Sequence, residues 1–559
     1  MNAGRERAPQ HKFACGDRPV RVAFPQSMPV WPKSFYTFGV NLKTASTEWK
    51  LRKKHAAPKA QDRALAALTP PLARASRWRG FGVEAGMSYQ DFKTRVPLQT
   101  YAHLAPAIES MTRGEKDVLW PGRCSLFARS AGTSGPPKYL PVTDALLAHF
   151  RQAGLDALLY YTVRVRHAGA FRGRHLLLGA PKTLVPLGPP GSAEPAKSFA
   201  GDLSGIAALS LPAWAERHFH EPSGDAGRVS DWDEQIEAIA SQVGGRDIAL
   251  IAGLPNWTLP MAQLLQARYS TLRRQVTHLQ AHWPNLECFV HTGMPVGPFA
   301  DELRHVLGPT VTFHEVYAAS ECMLAAQDDK PGRGLRVMAD TGIFFEFLPL
   351  SEYQENRFAE LGPKAVPLAD VETGVDYAVI VTTPGGLARY VLGDVVRFTT
   401  TEPPRLNYIG RTDLRLNRYG ENVSEKDVTE TLVNLCQQRG WRITNFHVAP
   451  LDTPKPMSRE VTGRHEWWIE LKPGTAATPT GGQLAMDLDV ELRRSSETYN
   501  ARRKSGVLDA PVVRLVMPGI FEHWLRFARK WGGQHKTPRC GQDRPSAEEL
   551  GAITNFACD

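Results

Sequence analysis

The chain has 559 residues, 42% of them hydrophobic and 22% charged, a balance that excludes a collagen, a coiled-coil rod and a wholly disordered chain. Lys plus Arg number 67 against 57 Asp plus Glu, a net charge of +10 that is small for this length and interleaved in sign. At roughly 100–200 residues per domain, about three to five domains are expected. No apolar run approaches the ~18–20 residues of a membrane span. Met1–Val20 carries Arg, Lys and Pro without a hydrophobic stretch, so neither a span nor a secretory leader is expected.

Residues 1–35 read as an irregular arm rich in Pro, Arg and Gly. The densest basic run, Lys50-Leu-Arg-Lys-Lys-His55, has no aromatic interleaving beyond Trp49 and reads as a solvated basic face, not a nucleic-acid strip. A basic surface also suits anionic substrates such as nucleotides. Thr143 is placed to cap a helix over Asp144–Val163, where Leu146, Leu147, Phe150, Leu155, Leu158 and Leu159 recur at helical spacing. His175–Gly179 predicts a short buried strand, and the Pro- and Gly-laden Leu184–Ser198 a surface loop or lid. Ser230 precedes a helix carrying Ile236, Ile239, Ala240 and Val243; Gly244 and Gly245 stop it, and Asp247–Ala252 follows as a strand. Val311–Val316 predicts another. This rhythm points to α/β architecture with largely buried sheets.

Near Asp413–Asn417 the pattern changes. A helix over Glu425–Arg439, strands at Asn445–Ala449, His465–Leu471 and Val512–Met517, and helices over Gln483–Arg502 and Phe521–Lys530 describe a small α+β unit. Lys472–Gly482 is a Pro- and Gly-rich break. The expected organisation is an arm (1–35), a large α/β domain (36–413) and a small C-terminal cap (414–559).

The seven cysteines, Cys15, Cys124, Cys288, Cys322, Cys436, Cys540 and Cys558, include no C-x-x-C pair. They form neither a disulfide framework nor a zinc site, and a reducing cytoplasmic setting is expected. His218-Phe-His220-Glu221 lacks the further spaced ligands of a metal centre.

The sharpest local motif is Ser130-Ala-Gly-Thr-Ser-Gly-Pro-Pro-Lys138. Small hydroxylated residues and glycines bare backbone N–H groups to an anion, and the lysine adds a point charge; a phosphate chain suits such a loop. Its spacing is not that of G-x-x-x-x-G-K-[ST], and Ala128 removes the first glycine of G-x-S-x-G. Two more constellations follow: Tyr317-Ala-Ala-Ser-Glu321 after a strand, and Arg389-Tyr-Val-Leu-Gly-Asp394 ahead of Gly410-Arg-Thr-Asp413.

In this order and spacing, with Lys536 near the C-terminus, these segments resemble the adenylate-forming superfamily. Val96–Tyr101, Ile251–Trp257, Trp283–Glu287, Phe344–Pro349 and Gln534–Arg539 are similar to the auxin-responsive acyl acid amido synthetases, and the resemblance runs from about residue 35 onward. It departs in reading Ser-Ala-Gly-Thr-Ser where Ser-Ser-Gly-Thr-Ser is usual, and in carrying Val391 where Arg is common.

The resemblance implies a large adenylation domain with a small mobile cap. It implies an enzyme that uses ATP and Mg²⁺ to join a carboxylic acid to AMP, then passes the acyl group to an amino acid or other amine. It implies that Ser130, Thr133, Ser134, Gly135 and Lys138 hold phosphates. Tyr317, Ala318 and Ser320 would shape the α-phosphate and adenine pocket, Glu321 would ligate the metal, Asp394 would bind the ribose hydroxyls, and Arg411 ribose or phosphate oxygens. Lys536 would offset charge developing at the reacting carboxylate. Phe344 or Phe345 offers a flat face for adenine or belongs to a core strand. Tyr160, Tyr161 and Gly201–Ser204 are candidates for the acid pocket. The alternatives are an acyl-CoA ligase and a catalytically silent nucleotide-binding relative.

Overall fold

The computed structural model describes residues 32–53, 56–130, 137–187, 196–229, 231–270, 275–294, 296–354, 357–455, 461–472, 479–528, 531 and 537–556. Strands in the large body run in chain order as β1 (Leu126–Ser130), β2 (Lys138–Pro141), β3 (Arg174–Leu178), β4 (Val185–Leu187), β5 (Ser198–Gly201), β6 (His220–Glu221), β7 (Ile248–Gly253), β8 (Cys288–His291), β9 (Thr312–Ala318), β10 (Met323–Ala326), β11 (Leu335–Val337), β12 (Phe344–Pro349), β13 (Val366–Pro367), β14 (Asp376–Thr382), β15 (Tyr390–Thr401) and β16 (Pro404–Arg411). Twelve of them form one mixed sheet in the order β13-β12-β14-β15-β16-β11-β10-β9-β8-β7-β3-β6. Pairing is parallel from β9 through β8, β7 and β3 to β6. It is antiparallel on the other side of β9.

The parallel half reads as near-continuous apolar runs because both faces are covered. Ile251 and Phe289 pack with Trp232, Ile236, Leu265 and Leu303 of the helices on one face. Their neighbours Leu250 and Cys288 pack with Leu159 and Tyr161 of the long helix Asp144–Val165 on the other. That helix starts where the sequence predicts: the Thr143 hydroxyl accepts from Leu146 N at 3.1 Å and donates to the Pro384 carbonyl at 2.6 Å.

A smaller sheet, β2-β1-β5-β4, carries the hairpin that begins the glycine-rich motif. It revises the loop expected over Leu184–Ser198: its two ends are the antiparallel strands β4 and β5, and residues 188–195 lie outside the described residues. The irregular arm is revised too. Helix begins at Lys33 and runs to Leu51, and residues 1–31 lie outside the described residues.

After Arg411 a separate three-stranded sheet forms from β19 (Ile443–Asp452), β20 (Gly463–Leu471) and β21 (Val512–Val516), preceded by the short pair β17 (Arg415–Leu416) and β18 (Val423–Ser424). The expected helix Gln483–Arg502 is two helices, Gly481–Ser495 and Glu497–Ser505, because the Ser496 hydroxyl caps a new start by accepting from Tyr499 N at 3.3 Å. Phe521–Lys530 is not the last helix: Ile520–Phe527 is followed by Pro545–Phe556. Among the described residues this unit meets the body where Glu425 packs over Gly410 of β16 and through two sets of side-chain contacts. Lys472 pairs with Glu302 at 2.5 Å. Asp233 accepts from Arg526 at 2.8 Å and from the Trp531 indole at 3.2 Å, while the Trp531 ring meets Trp257 edge-on at 4.8 Å.

Burial holds six histidines neutral: His149, His175, His291 and His447 are pushed down to about 4, and His220 and His314 to about 3. A depressed folded-state pKa means that the unfolded chain takes up more protons as soon as pH falls below about 6.5. Each such histidine removes up to about 1.4 kcal/mol of stability per pH unit until its folded pKa is reached. The urea midpoint is therefore expected to drop steeply between pH 6.5 and 5, above the carboxylate range; an unchanged midpoint over that interval would contradict the burial of these rings.

Candidate functional site

Tyr317 stands one residue from the carboxyl end of β9, the strand where parallel pairing gives way to antiparallel. Asp394 lies in β15, four places away in the strand order. On a flat sheet that separation is about 19 Å at ~4.8 Å per strand. The Tyr317 hydroxyl nevertheless donates to Asp394 Oδ2 at 2.6 Å, so the antiparallel half curls until its middle faces the end of β9. Register shifts in the β15–β16 ladder, with Ile409 extra on β16 opposite Val395–Val396 and Thr399 extra on β15 between Phe398 and Thr400, supply local bending.

Arg411, the last residue of β16, sits opposite Asp394 in the ladder and donates Nη1 to its Oδ1 at 3.0 Å. Its Nε donates to Asp413 Oδ1 at 3.0 Å. Burial works against the guanidinium charge, but Asp394 and Asp413 outweigh it and hold Arg411 more firmly protonated than usual. Gly393 is required beside it: its φ is +84°, and a Cβ there would stand 2.8 Å from the Arg411 guanidinium. The Tyr317 ring packs edge-on against Tyr408 at 5.6 Å, and burial, with Asp394 beside it, keeps the Tyr317 phenol protonated well above its ordinary range.

Beyond Tyr317 the chain reverses in a tight turn in which Ala319 N donates to the Cys322 carbonyl at 2.9 Å, and Ala318 pairs with Met323. Ser320 and Glu321 therefore occupy the tip between β9 and β10. Burial, then the Asp394 carboxylate, lifts Glu321 to about 7, while Arg411 and Lys138 pull the other way. The turn rests on His149. Its Nδ1–H donates to the Thr341 carbonyl at 2.8 Å and its Nε2 accepts from Met323 N at 3.0 Å, which requires the neutral ring.

Ser130 and Lys138 pair across β1 and β2. Lys138 Nζ lies 5.7 Å from the centre of the Tyr101 ring, and the Tyr101 hydroxyl accepts from Tyr139 N at 3.0 Å. Thr133, Ser134, Gly135 and Lys536 lie outside the described residues. Of the expected site residues, the structure joins Tyr317, Asp394 and Arg411 by hydrogen bonds and brings Glu321 and Lys138 within electrostatic reach of them. Phe344 and Phe345 are buried core residues of β12, which resolves the two readings against an adenine face. Tyr160 and Tyr161 are buried too, and the Tyr161 hydroxyl donates to Glu287 Oε1 at 3.2 Å.

Sequence reasoning passes over His149, Tyr408 and the partner of Arg389. Fully buried Arg389, at φ +48°, gives Nε and one Nη2 hydrogen to Glu346, the other Nη2 hydrogen to the Gly362 carbonyl, and Nη1 to the Lys93 and Val96 carbonyls, all at 2.7–3.1 Å. Every donor of the guanidinium is satisfied, and the start of β15 is pinned five residues before Asp394.

A cavity of about 250 Å³ opens between the long helix and helix Leu203–Leu209, lined by Leu147, Phe150, Leu177, Ser204, His220 and Gln235 among others. Neither ring nitrogen of His220 nor Gln235 Oε1 makes a hydrogen bond among the described residues, although both side chains are buried. No cluster of three or more potential metal-ligating side chains occurs among the described residues, His218–Glu221 included. The five described cysteines are free and buried.

The large body, with its junctional site and smaller C-terminal unit, has the overall fold of GH3.15 acyl acid amido synthetase (TM-score 0.71, 19% identity, covering 94% of this chain and 97% of that one). A 2-hydroxyisobutyryl-CoA ligase in the postadenylation state is more distantly alike (TM-score 0.52, 15% identity, 89% and 92% covered). Models of the GH3 family N-terminal, central and C-terminal domains match residues 49–183, 336–411 and 426–545. Together these span more than half of the chain, which belongs to the GH3 family. Relatives include the probable indole-3-acetic acid-amido synthetase GH3.1 of Arabidopsis thaliana, 23% identical over 567 residues, 88% of this chain and 90% of that protein. The indole-3-acetic acid-amido synthetase GH3.8 of Oryza sativa subsp. indica is 27% identical over 48% of this chain and 46% of its own length.

The Arg389–Glu346 pair tests how β15 is held. Glu346→Leu alone leaves a buried, unbalanced guanidinium and is expected to cost about 3–5 kcal/mol in urea unfolding. Adding Arg389→Met should recover much of that loss; a single-variant cost below about 1 kcal/mol would show that the pair does not anchor the strand.

Proposed function

We propose that the protein is an ATP-dependent acyl acid amido synthetase with two half-reactions. A carboxylate oxygen attacks the α-phosphate of ATP and pyrophosphate leaves. An amine, foremost an amino acid, then attacks the acyl-adenylate carbonyl and AMP leaves. Family membership supports this reading. The observation that carries it is the joining of Tyr317, Asp394 and Arg411 at the carboxyl end of a parallel strand, the usual place for a ligand in an α/β sheet.

A carboxylate is a poor acyl donor because oxide would be its leaving group; the mixed anhydride with AMP supplies a good one. Two anions must first approach, so the site has to neutralise charge and hold the attack in line. Ser130, Thr133, Ser134, Gly135 and Lys138 are assigned to the phosphates. Asp394, already ordered by Tyr317 and Arg411, is assigned to the ribose hydroxyls, and Ala318 and Ser320 to the wall around the α-phosphate. Arg411 serves ribose or phosphate oxygens at the edge of the C-terminal unit. Glu321 and Asp394, close enough for one carboxylate to raise the other's proton affinity, suit a hard dication. Glu321 would hold Mg²⁺, which when bound neutralises phosphate oxygens. Lys536 is assigned to the charge developing between the acid and the α-phosphate, and the unit 414–559 to a cap that turns about Asp413–Asn417 between half-reactions.

The 250 Å³ cavity is assigned to the acid. Leu147, Phe150 and Leu177 would take its apolar part, with His220 and Gln235 as polar anchors.

Pyrophosphate exchange with a panel of acids, followed by mass spectrometry with amino acids or CoA as acceptor, tests the reading. Amide products are expected, and thioester formation would move the protein to the acyl-CoA ligases. Asp394→Asn and Lys536→Ala should each lower exchange about 10²–10³-fold, the second with unchanged melting temperature; normal exchange in either would refute its role. His220→Leu should raise the KM for the acid about tenfold and leave that for ATP in place. Equal effects on both would remove the cavity from the acid.

A further inference from the structure

The basic run that begins at Lys50 is not used by the site. It closes the helix Lys33–Leu51, which has two unlike faces. Val40 and Thr47 are buried, Thr44 meets Thr162 of the long helix at 3.2 Å, and Tyr36 stacks on Trp214 at 4.7 Å. On the opposite face Phe38, Leu42 and Trp49 are 63%, 60% and 62% exposed. At 100° per residue these three fall within about 40° of arc, and Phe35 continues the same stripe.

Charge flanks the stripe. Lys43 and Lys50 stand on one side, and Arg52 and Lys53 close the C-terminal end, with Lys53 Nζ over the Trp49 ring at 3.3 Å. Two acids lie near: Glu48, which pairs with Arg52 at 2.5 Å, and Asp156 of the long helix, whose charge interacts with Lys50 and Lys43. Four cations against two anions leave the face positive. No helix among the described residues is long and apolar enough to cross a membrane. A helix already packed by its inner face, presenting aromatic and aliphatic side chains edged by lysines, has the pattern of one that lies in a lipid interface.

We propose that the outer face of helix Lys33–Leu51 docks the protein on an anionic lipid surface. Phe38, Leu42 and Trp49 enter the headgroup layer, and Lys43, Lys50 and Lys53 meet lipid phosphates and carboxylates. A second copy is the poorer occupant. A two-fold contact through the stripe presents the same positively charged patch from both copies, so like charge would meet like charge, whereas an anionic surface complements it.

Co-sedimentation of the full chain with vesicles of phosphatidylcholine containing 30% phosphatidylserine tests this, with pure phosphatidylcholine alongside. Binding is expected on the anionic vesicles, at least tenfold weaker on the neutral ones, and reversed by 0.5 M salt. The Phe38→Ser/Trp49→Ser variant should lose at least tenfold in vesicle affinity while its melting temperature and pyrophosphate exchange stay those of the parent. Failure of the parent chain to bind, equal binding by the variant, or a parent dimer that the variant dissolves without any vesicle binding would each overturn the proposal.

Discussion

The contact on which the rest depends is the short hydrogen bond from the Tyr317 hydroxyl to Asp394. It can exist only if a twelve-stranded sheet bends through its short central strands, because a flat sheet would hold the two residues well beyond side-chain reach. Curling draws Arg411 in from the adjacent strand and brings Glu321, at the turn after β9, into the same electrostatic field. An isolated buried carboxylate at Asp394 would be costly. Ordered by one phenol and one guanidinium, it is held in a fixed orientation before any ligand arrives.

Around that centre the fold supplies rigidity from a distance. His149, on the long helix, ties the turn after Ala318 to the Thr341 carbonyl, and Arg389 clamps the start of β15 to Glu346 and three carbonyls. Neither needs to touch a substrate. Each converts a flexible connection into part of the scaffold, so that loop residues are presented by strand ends that cannot drift.

Legibility in the sequence follows the range of the interaction. Helix Glu425–Arg439 is readable to the residue because its limits are local: Ser424 and Asp427 cap one end reciprocally and Gly440 takes the left-handed conformation at the other. The break at Ser496 is local too, but the apolar spacing of Leu484, Leu488 and Leu492 suggests an uninterrupted helix and hides it. The motifs that hold Tyr317, Glu321, Asp394 and Arg411 are visible as short strings, whereas their convergence depends on the curl of a sheet that no string encodes. His149 lies among Leu146, Leu147 and Phe150 and looks like any core position; its partners are 174 and 192 residues away. Phe344 and Phe345 admit two readings because a core strand and a stacking platform call for the same side chains.

One contact between the two units carries a dynamic implication. The Trp531 indole is wedged against Trp257 and hydrogen-bonded to Asp233, just before the glycine pair that leads to Lys536. Swivelling of the C-terminal unit would first have to extract that ring. On the proposed turning of the cap, this indole contact and the Lys472–Glu302 pair are what the seated arrangement gives up.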